Sequence, residues 1–133
     1  MRSKQIFLVD DDEIFRTAAE ILISTHFPDF EIIHFENGLE VYERLLEIET
    51  TQSSLPQIML LDINMPVMNG WELLEELKNH KGRIKNQVQI HISTSSIAPQ
   101  DMNLSKTYDF IKGYIRKPIT SADLKHISES LLV

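Results

Sequence analysis

The chain has 133 residues, of which 42% are hydrophobic and 25% are charged, so its length and composition are those of one globular domain. Thirteen Lys and Arg residues against twenty Asp and Glu residues leave a formal net charge of -7, which argues against direct binding of nucleic acid. The chain has no cysteine, and the apolar run before its first aspartates is far too short for a signal sequence or a membrane span, so we expect a cytoplasmic protein without membrane insertion.

Short apolar runs alternate with amphipathic segments from the start of the chain. The run from Ile6 to Val9 is continuously apolar, as in a strand that is buried on both faces of a parallel sheet. A helix is predicted from Glu13 until Pro28 stops it. Its predicted buried stripe consists of Ile14, Ala18, Ile21 and Leu22, with Phe15 as a further candidate.

The second unit repeats this pattern. Residues 32–35 predict a strand, and Asn37-Gly38 predicts a turn after it. The next helix is predicted by a stripe of Leu39, Tyr42, Leu45 and Leu46, and it ends near Glu49. A polar loop is predicted over residues 50–56.

The third unit contains the most apolar run of the chain, from Ile58 to Leu61, which predicts the central strand. Asp62 follows this strand directly. The helix that comes next is predicted by Trp71, Leu73, Leu74 and Leu77, and it frays over residues 79–82.

The last two units are predicted from weaker patterns. Val88, Ile90 and Ile92 alternate with Gln89 and His91, which predicts a strand less completely covered than the third, with His91 facing outward or half-buried. Pro99 opens a short helix, residues 113–116 predict the last strand, and Ser121 is the predicted N-cap of the last helix. That helix is predicted to bury Leu124, Ile127, Leu131 and Leu132.

Five strand-helix units in strict alternation predict an α/β fold, a doubly wound parallel sheet with helices on both faces. In such a sheet the carboxyl ends of the strands lie at one edge, where ligands bind. The residues at four of these ends are Asp10-Asp11-Asp12, Asp62, Ser93-Thr94 and Lys117-Pro118. The sequence therefore predicts one polar site.

The carboxylates at this predicted site need a counter-charge, because neighbouring carboxylates repel each other and raise their pKa values. Oxygen ligands without cysteine or a histidine cluster favour a hard ion, and we predict Mg²⁺, with Mn²⁺ as a substitute. A carboxylate is also able to act as a nucleophile that forms an aspartyl phosphate, and Asp62 has the central position. Lys117 and Thr94 would then contact different phosphoryl oxygens.

Four segments together resemble the CheY-like receiver domain of two-component response regulators. They are Leu8-Val9-Asp10-Asp11, Leu61 to Pro66 with Asn69-Gly70, Thr94-Ser95, and Gly113 to Pro118, and the resemblance spans essentially the whole chain. It implies a flavodoxin-like (βα)5 fold with a five-stranded parallel sheet in the order 2-1-3-4-5. We accordingly expect residues 1–133 to form a single receiver domain without an output domain.

The resemblance also implies a role for individual residues. Asp62 corresponds to the phosphoacceptor, and the metal ligands are Asp10, Asp11, Asp62 and the backbone carbonyl of Asn64. Lys117, Thr94 and Ser95 correspond to the residues that stabilise the phosphoryl group. Thr94 and Tyr114 match the switch pair, and the alternative for Tyr114, which is apolar enough for it, is an ordinary core residue. The bond between Lys117 and Pro118 is expected to be cis.

Two positions remain open at this stage. Asp12 either joins the acidic site or acts as the N-cap of the first helix, where its side chain would accept backbone hydrogen bonds. Ser93 instead of Thr94 would point into the site if the strand register slipped by one residue, because adjacent side chains face opposite sides of a sheet.

The implied function is a phosphorylation-dependent signalling switch, which catalyses only its own phosphorylation and dephosphorylation. A histidine kinase or phosphotransfer protein would donate the phosphoryl group to Asp62. The face of the fourth predicted helix, the fifth strand and the last helix would then bind a protein partner, and the chain would be a monomer or a phosphorylation-dependent dimer. Two alternatives are a haloacid-dehalogenase-type phosphohydrolase, which needs an Asp where Asn64 stands, and a receiver-like adaptor that signals without phosphorylation.

Overall fold

The computed structural model describes residues 4–131, and the predicted burial of Leu132 lies outside them. Five strands form one sheet in the order β2-β1-β3-β4-β5, and every neighbouring pair is parallel. The strands are β1 (Gln5–Val9), β2 (Glu31–Phe35), β3 (Ile58–Leu61), β4 (Gln89–Thr94) and β5 (Ile111–Arg116). The predicted fold class and strand order are confirmed.

Six helices connect or follow the strands in the described part of the chain. They are α1 (Glu13–His26), α2 (Gly38–Thr51), α3 (Gly70–Asn79), α4 (Ile84–Gln87), α5 (Pro99–Ser105) and α6 (Ser121–Leu131). The prediction of strict alternation is wrong at α4, a single turn between α3 and β4 that buries Ile84. The fourth and last predicted helices are therefore α5 and α6. No helix within residues 4–131 is long and apolar enough to cross a membrane.

The core consists of two clusters, one on each face of the sheet. Along β1, Phe7 and Val9 belong to the cluster covered by α2, α3 and α4, whereas Ile6 and Leu8 belong to the cluster covered by α1 and α6. This division follows from the two-residue period of a strand. The prediction that β1 is buried on both faces is confirmed.

The buried stripe of α1 differs from the predicted one. Ile14 is 82% exposed and Ile21 is 69% exposed, and Ala18 is exposed as well. The buried residues are Arg16, Ala19 and Ile23, with Phe15 and Leu22 partly buried. Apolar residues in this helix form two overlapping stripes, and successive residues lie about 100° apart around the axis. Packing against β1 and α6 selects the second stripe.

Strand β4 is more completely covered than its alternating pattern indicated. His91 is only 4% exposed and lies beside Gly113 of β5. A Cβ atom at Gly113 would be 3.0 Å from Nδ1 of His91, so the glycine makes room for the imidazole ring. The prediction of an outward or half-buried His91 is wrong because β4 lies between β3 and β5, and residues of β5 and α6 surround the imidazole.

Two predicted turn or cap residues have different roles in the structure. Asn37 does not form a separate turn, because its side chain accepts a hydrogen bond from the Glu40 N-H at 2.9 Å and caps α2. The cap of α6 is Thr120 rather than Ser121. The Asp123 N-H donates to Thr120 Oγ1 at 3.2 Å, and the Thr120 N-H donates to the Asp123 carboxylate at 2.9 Å.

Candidate functional site

Three carboxylates meet at the carboxyl edge of the sheet. One oxygen from each of Asp10, Asp11 and Asp62 lies within 4.8 Å of the other two. Asp10 follows β1 and Asp62 follows the adjacent strand β3, where Val9 pairs with Leu61. The two carboxylates are 1% and 5% exposed, whereas Asp11 is exposed. The parallel register thus brings together residues that are about fifty positions apart in the sequence.

The environment of Asp62 disfavours its charged form. Burial, the principal cause, and the neighbouring Asp10 carboxylate raise the pKa of Asp62 from 3.8 to about 6. The Lys117 ammonium and the backbone N-H groups of Ile63 and Asn64 oppose this rise. A divalent cation among the carboxylates would supply the missing positive charge, and an all-oxygen donor set suits Mg²⁺ or Mn²⁺.

Lys117 extends from the end of β5 into this acidic cluster. Its ammonium group pairs with Oδ2 of Asp10 and lies 3.5 Å from Oδ1 of Asp62. The ring of Phe15 covers another side of the ammonium, with the centroid 4.2 Å from Nζ. The Lys117 N-H donates to the Thr94 carbonyl at 2.8 Å, and the bond between Lys117 and Pro118 is cis.

Asp12 caps α1 rather than completing the acidic cluster. Its Oδ1 accepts hydrogen bonds from the N-H groups of Ile14 at 3.0 Å and Phe15 at 3.1 Å. Its own N-H donates to Oδ1 of Asp10 at 2.9 Å. The cap therefore sets the start of the helix and also holds one oxygen of a cluster carboxylate.

Thr94 and Ser93 lie on opposite faces of β4. Thr94 is fully buried, and its Oγ1 accepts a hydrogen bond from the Ser96 N-H at 3.1 Å. Ser93 lies on the face of His91, and its buried hydroxyl has no hydrogen-bond partner within residues 4–131. The exposed Ser95 begins the loop that follows β4. The register thus separates Ser93 from Thr94, as adjacent strand positions must be separated.

Tyr114 is connected to Thr94 through Ser96. The half-buried Tyr114 donates its hydroxyl hydrogen to the Ser96 carbonyl at 3.0 Å, while the Ser96 N-H bonds to Thr94. The Ser96 hydroxyl donates to Asp101 of α5 at 2.5 Å. Sequence reasoning did not find this link, because it depends on the path of the loop between β4 and α5.

Arg16 is a buried residue near the site that the sequence pattern did not reveal. Its guanidinium donates to the Asp10 carbonyl at 2.5 Å and to Nδ1 of His34 at 3.1 Å. His34 in turn lies 2.7 Å from a carboxylate oxygen of Glu20. Arginine in an amphipathic helix normally faces solvent, so only the three-dimensional neighbours reveal this role.

The loop after Asp62 requires the Asn69-Gly70 pair at its end. Asn69 and Glu72 form a reciprocal capping box at the start of α3. A Cβ atom at Gly70 would be 2.6 Å from the Asp62 carbonyl oxygen and 2.8 Å from the Cα of Ile63. Glycine is needed here because the helix begins in direct contact with the backbone of the acidic site.

A model of the response regulator receiver domain matches residues 6–129, and the chain belongs to this family. Receiver domains are phosphorylation-dependent signalling switches of two-component systems. The family interacts with kinases and downstream effectors, and it binds Mg²⁺ at an acidic pocket. In this chain Asp10, Asp11 and Asp62 form such an acidic cluster.

Relatives and solved structures agree with this assignment. The chain is 30% identical over 118 residues to the chemotaxis protein CheY of Halobacterium salinarum, covering 87% of this chain and 86% of that protein. It is 40% identical over 82 residues to the nitrate/nitrite response regulator protein NarL of Escherichia coli, covering 59% of this chain and 35% of NarL. The match thus spans about a third of that relative's length. A two-component response regulator from Cytophaga hutchinsonii superposes with a TM-score of 0.87 at 28% identity, covering 99% and 98% of the two chains.

Proposed function

We propose that Asp62 accepts a phosphoryl group from a phosphohistidine of a histidine kinase or phosphotransfer protein. The observation that carries the proposal is the buried Asp62 carboxylate, with Asp10, Asp11 and the Lys117 ammonium around it. A carboxylate oxygen of Asp62 forms a bond to phosphorus while the phosphorus-nitrogen bond of the donor breaks. The electron pair stays on the imidazole nitrogen, which then takes a proton from solvent.

The acidic residues would hold a divalent cation during this transfer. Asp10, Asp11 and Asp62 supply carboxylate oxygens, and the backbone carbonyl of Asn64 is the further ligand that the family resemblance implies. A bound Mg²⁺, or Mn²⁺ in its place, would supply positive charge to offset the negative charge that builds up during the transfer. Burial and the Asp10 carboxylate raise the pKa of Asp62, and a divalent cation would favour the charged carboxylate that this transfer needs.

Lys117, Thr94 and Ser95 would contact the phosphoryl group once it is attached. The ammonium of Lys117 lies 3.5 Å from Asp62, so a short movement brings it to a phosphoryl oxygen. Thr94 offers a hydroxyl donor from the end of β4, and Ser95 follows it on the loop. In the later hydrolysis, a water oxygen would bond to phosphorus while the bond between phosphorus and Asp62 breaks, which releases inorganic phosphate and restores the carboxylate.

The link through Ser96 would carry the change to the partner-binding face. If Thr94 moves toward the phosphoryl group, its hydrogen bond with the Ser96 N-H changes, and so does the position of the carbonyl that holds Tyr114. Tyr114 lines a groove between α5 and β5 together with Met102, Tyr108 and Ile111. Exposed Ile97, Met102 and Leu104 make this α5 region apolar, which suits a protein partner.

The test is to incubate the protein with acetyl phosphate and Mg²⁺ and to measure the mass of the intact chain. We expect an acid-stable, base-labile gain of one phosphoryl group that EDTA abolishes and added Mn²⁺ restores. Asp62→Asn should not gain it, whereas Asp29→Asn, an exposed acid before β2 at the opposite edge of the sheet, should gain it like wild type. A gain by Asp62→Asn, or none by wild type, would contradict the proposal.

The same preparations distinguish the two alternatives. A phosphohydrolase would turn over a generic phosphate ester, but the residue two positions after Asp62 is Asn64 rather than a second acid. We therefore expect the protein not to turn over a generic phosphate ester, and to gain only one phosphoryl group per chain from acetyl phosphate. An adaptor that signals without phosphorylation would bind its partner equally well as wild type and as Asp62→Ala. We expect binding that depends on phosphorylation.

A further inference from the structure

The Lys117 ammonium is held from two chemically different sides. The carboxylates of Asp10 and Asp62 lie on one side, and the aromatic face of Phe15 lies on another, 4.2 Å from Nζ to the ring centroid. Two other lysines lie over aromatic rings in the described part of the chain, at 5.9 Å and 6.0 Å. The contact at the acidic site is thus the closest of the three, and its lysine side chain is only 16% exposed.

The start of α1 determines where Phe15 points. Asp12 accepts the N-H of Phe15 itself at 3.1 Å, so the cap fixes the first turn of the helix beside the acidic cluster. In that arrangement Ile14 faces solvent and Phe15 packs against the α1 and α6 side of the core. An apolar cleft of about 100 Å³ lies beside the ring, lined by Ala18, Ala19, Leu22, Pro118 and Ile119. The packing against this core, rather than the open cleft, keeps the ring at the edge of the acidic site.

A divalent cation would weaken one of the two contacts of the ammonium and leave the other unchanged. The carboxylates would share their negative charge with the cation, which also repels Lys117, so their hold on the ammonium weakens. The Phe15 ring carries no net charge, and its attraction for the ammonium through the ring quadrupole remains. A lysine has a long flexible stem, and without this contact the ammonium would be free to turn away from the site.

We propose that Phe15 is a positioning residue, which holds the Lys117 ammonium beside Asp62 when the carboxylates are occupied by a cation. The ammonium then stays within reach of the oxygens of the transferring phosphoryl group, where a fixed positive charge lowers the barrier. Phe15 would act through the Lys117 ammonium, which it contacts directly. This inference rests on the proposed phosphorylation of Asp62 and assigns a further residue to that reaction.

The first experiment compares phosphorylation rates with acetyl phosphate at saturating Mg²⁺. We expect Phe15→Leu, which keeps an apolar side chain but removes the aromatic face, to slow phosphorylation about three- to tenfold, the range of a partly desolvated cation-π contact. Phe15→Tyr keeps the ring and should remain within about twofold of wild type. Equal rates for wild type and Phe15→Leu, or equal slowing by Phe15→Tyr, would overturn the proposal.

A double-mutant cycle tests whether the effect runs through the lysine. In a Lys117→Gln background, Phe15→Leu should have no further effect on the rate, because the ammonium is already absent. The same fold-change in both backgrounds would mean that Phe15 acts through helix packing and would overturn the proposal. If Phe15→Leu does not fold, a trifluorinated phenylalanine at position 15 keeps the shape and weakens the quadrupole. This substitution should slow phosphorylation when Lys117 is present and should have no effect in the Lys117→Gln background.

The two proposals fail in different ways. If wild type gains no phosphoryl group, the proposed function is wrong. If wild type gains it and Phe15→Leu gains it equally fast, the role of Asp62 stands and only the role of Phe15 is wrong.

Discussion

Two buried polar regions of this molecule respond to burial in opposite directions. Asp62 is 5% exposed and its pKa is raised to about 6, whereas His91 is 4% exposed and its pKa is lowered to about 4. Desolvation, which disfavours the charged form, is the largest cause in both cases. Burial alone therefore does not distinguish a functional group from a structural one.

The neighbours of each group make the distinction. The Asp62 carboxylate has a second carboxylate and an ammonium beside it at the end of a strand, so charges of both signs remain and a divalent cation would balance them. The surroundings of His91 include Lys112 and His126, which lower its pKa further. The neutral imidazole is the stable form there. The mixture of charges at a strand end, rather than the size of the pKa shift, distinguishes the proposed functional region.

The largest expected effect on stability concerns His91. Its pKa is about 4 in the folded protein and 6.5 in the unfolded chain, so the stability present above pH 6.5 is lost as the pH falls toward 4. We expect this loss to reach about 3 kcal/mol. His91→Leu removes the titrating group at similar volume, and its urea-unfolding free energy should fall less between pH 7 and pH 4 than that of wild type.

The exposed His126 provides a graded control for this prediction. His126→Gln removes only the repulsion between the two imidazoles, which is a smaller cause of the shift than burial. This variant should recover a small part of the stability that wild type loses as the pH falls. If the unfolding free energies of wild type and His91→Leu fall equally between pH 7 and pH 4, the account of His91 as a buried neutral group is contradicted.

The next effect concerns Asp62 in the absence of divalent cations. Because the pKa of Asp62 is raised in the folded state, the folded protein loses stability as the pH rises from 3.8 to about 6. The full cost is present above about pH 6 and absent below pH 3.8. Asp62→Asn should therefore increase the unfolding free energy at pH 7 by about 1 to 2 kcal/mol, after allowance for solvent screening.

This gain should disappear below about pH 4, since both forms of the protein are then neutral at position 62. The exposed Glu43 offers a matched control, and Glu43→Gln should change stability little at either pH. Mg²⁺ should stabilise wild type more than Asp62→Asn, because ligand binding adds to the stability of the folded state. A destabilising effect of Asp62→Asn at pH 7 without metal would contradict the electrostatic account.

The smallest effects separate the two faces of β4. Thr94→Ala removes the acceptor of the Ser96 N-H, and we expect it to cost about 1 kcal/mol and to slow phosphorylation several-fold. Ser93→Ala removes a buried hydroxyl that has no partner within the described residues, so its stability should stay within about 0.5 kcal/mol of wild type. Urea unfolding measures the stability of the two variants, and the acetyl phosphate assay measures their phosphorylation rates. If Thr94→Ala and Ser93→Ala change stability and phosphorylation rate equally, the two faces of β4 do not have these different roles.

Much of the fold and of the acidic cluster follows from local patterns. The apolar runs that became β1 and β3 and the aspartates that follow them were predicted from sequence, because a strand buried on both faces leaves a continuous apolar signal. The predicted stripe of α1 was wrong at Ile14, Ala18 and Ile21, because a second set of residues overlaps it around the helix and only packing against the sheet selects between them. The short helix α4 has too few residues to produce a periodic pattern.

The sequence by itself determined the parallel α/β fold, the strand order implied by family resemblance and the set of polar residues at the strand ends. The tertiary structure decided which polar groups contact each other. It placed Arg16 against the Asp10 backbone, Phe15 over Lys117, and Ser96 between Thr94 and Tyr114. These contacts join residues from different elements. Their distances depend on how helices and loops pack on the sheet, and no local periodicity encodes that packing.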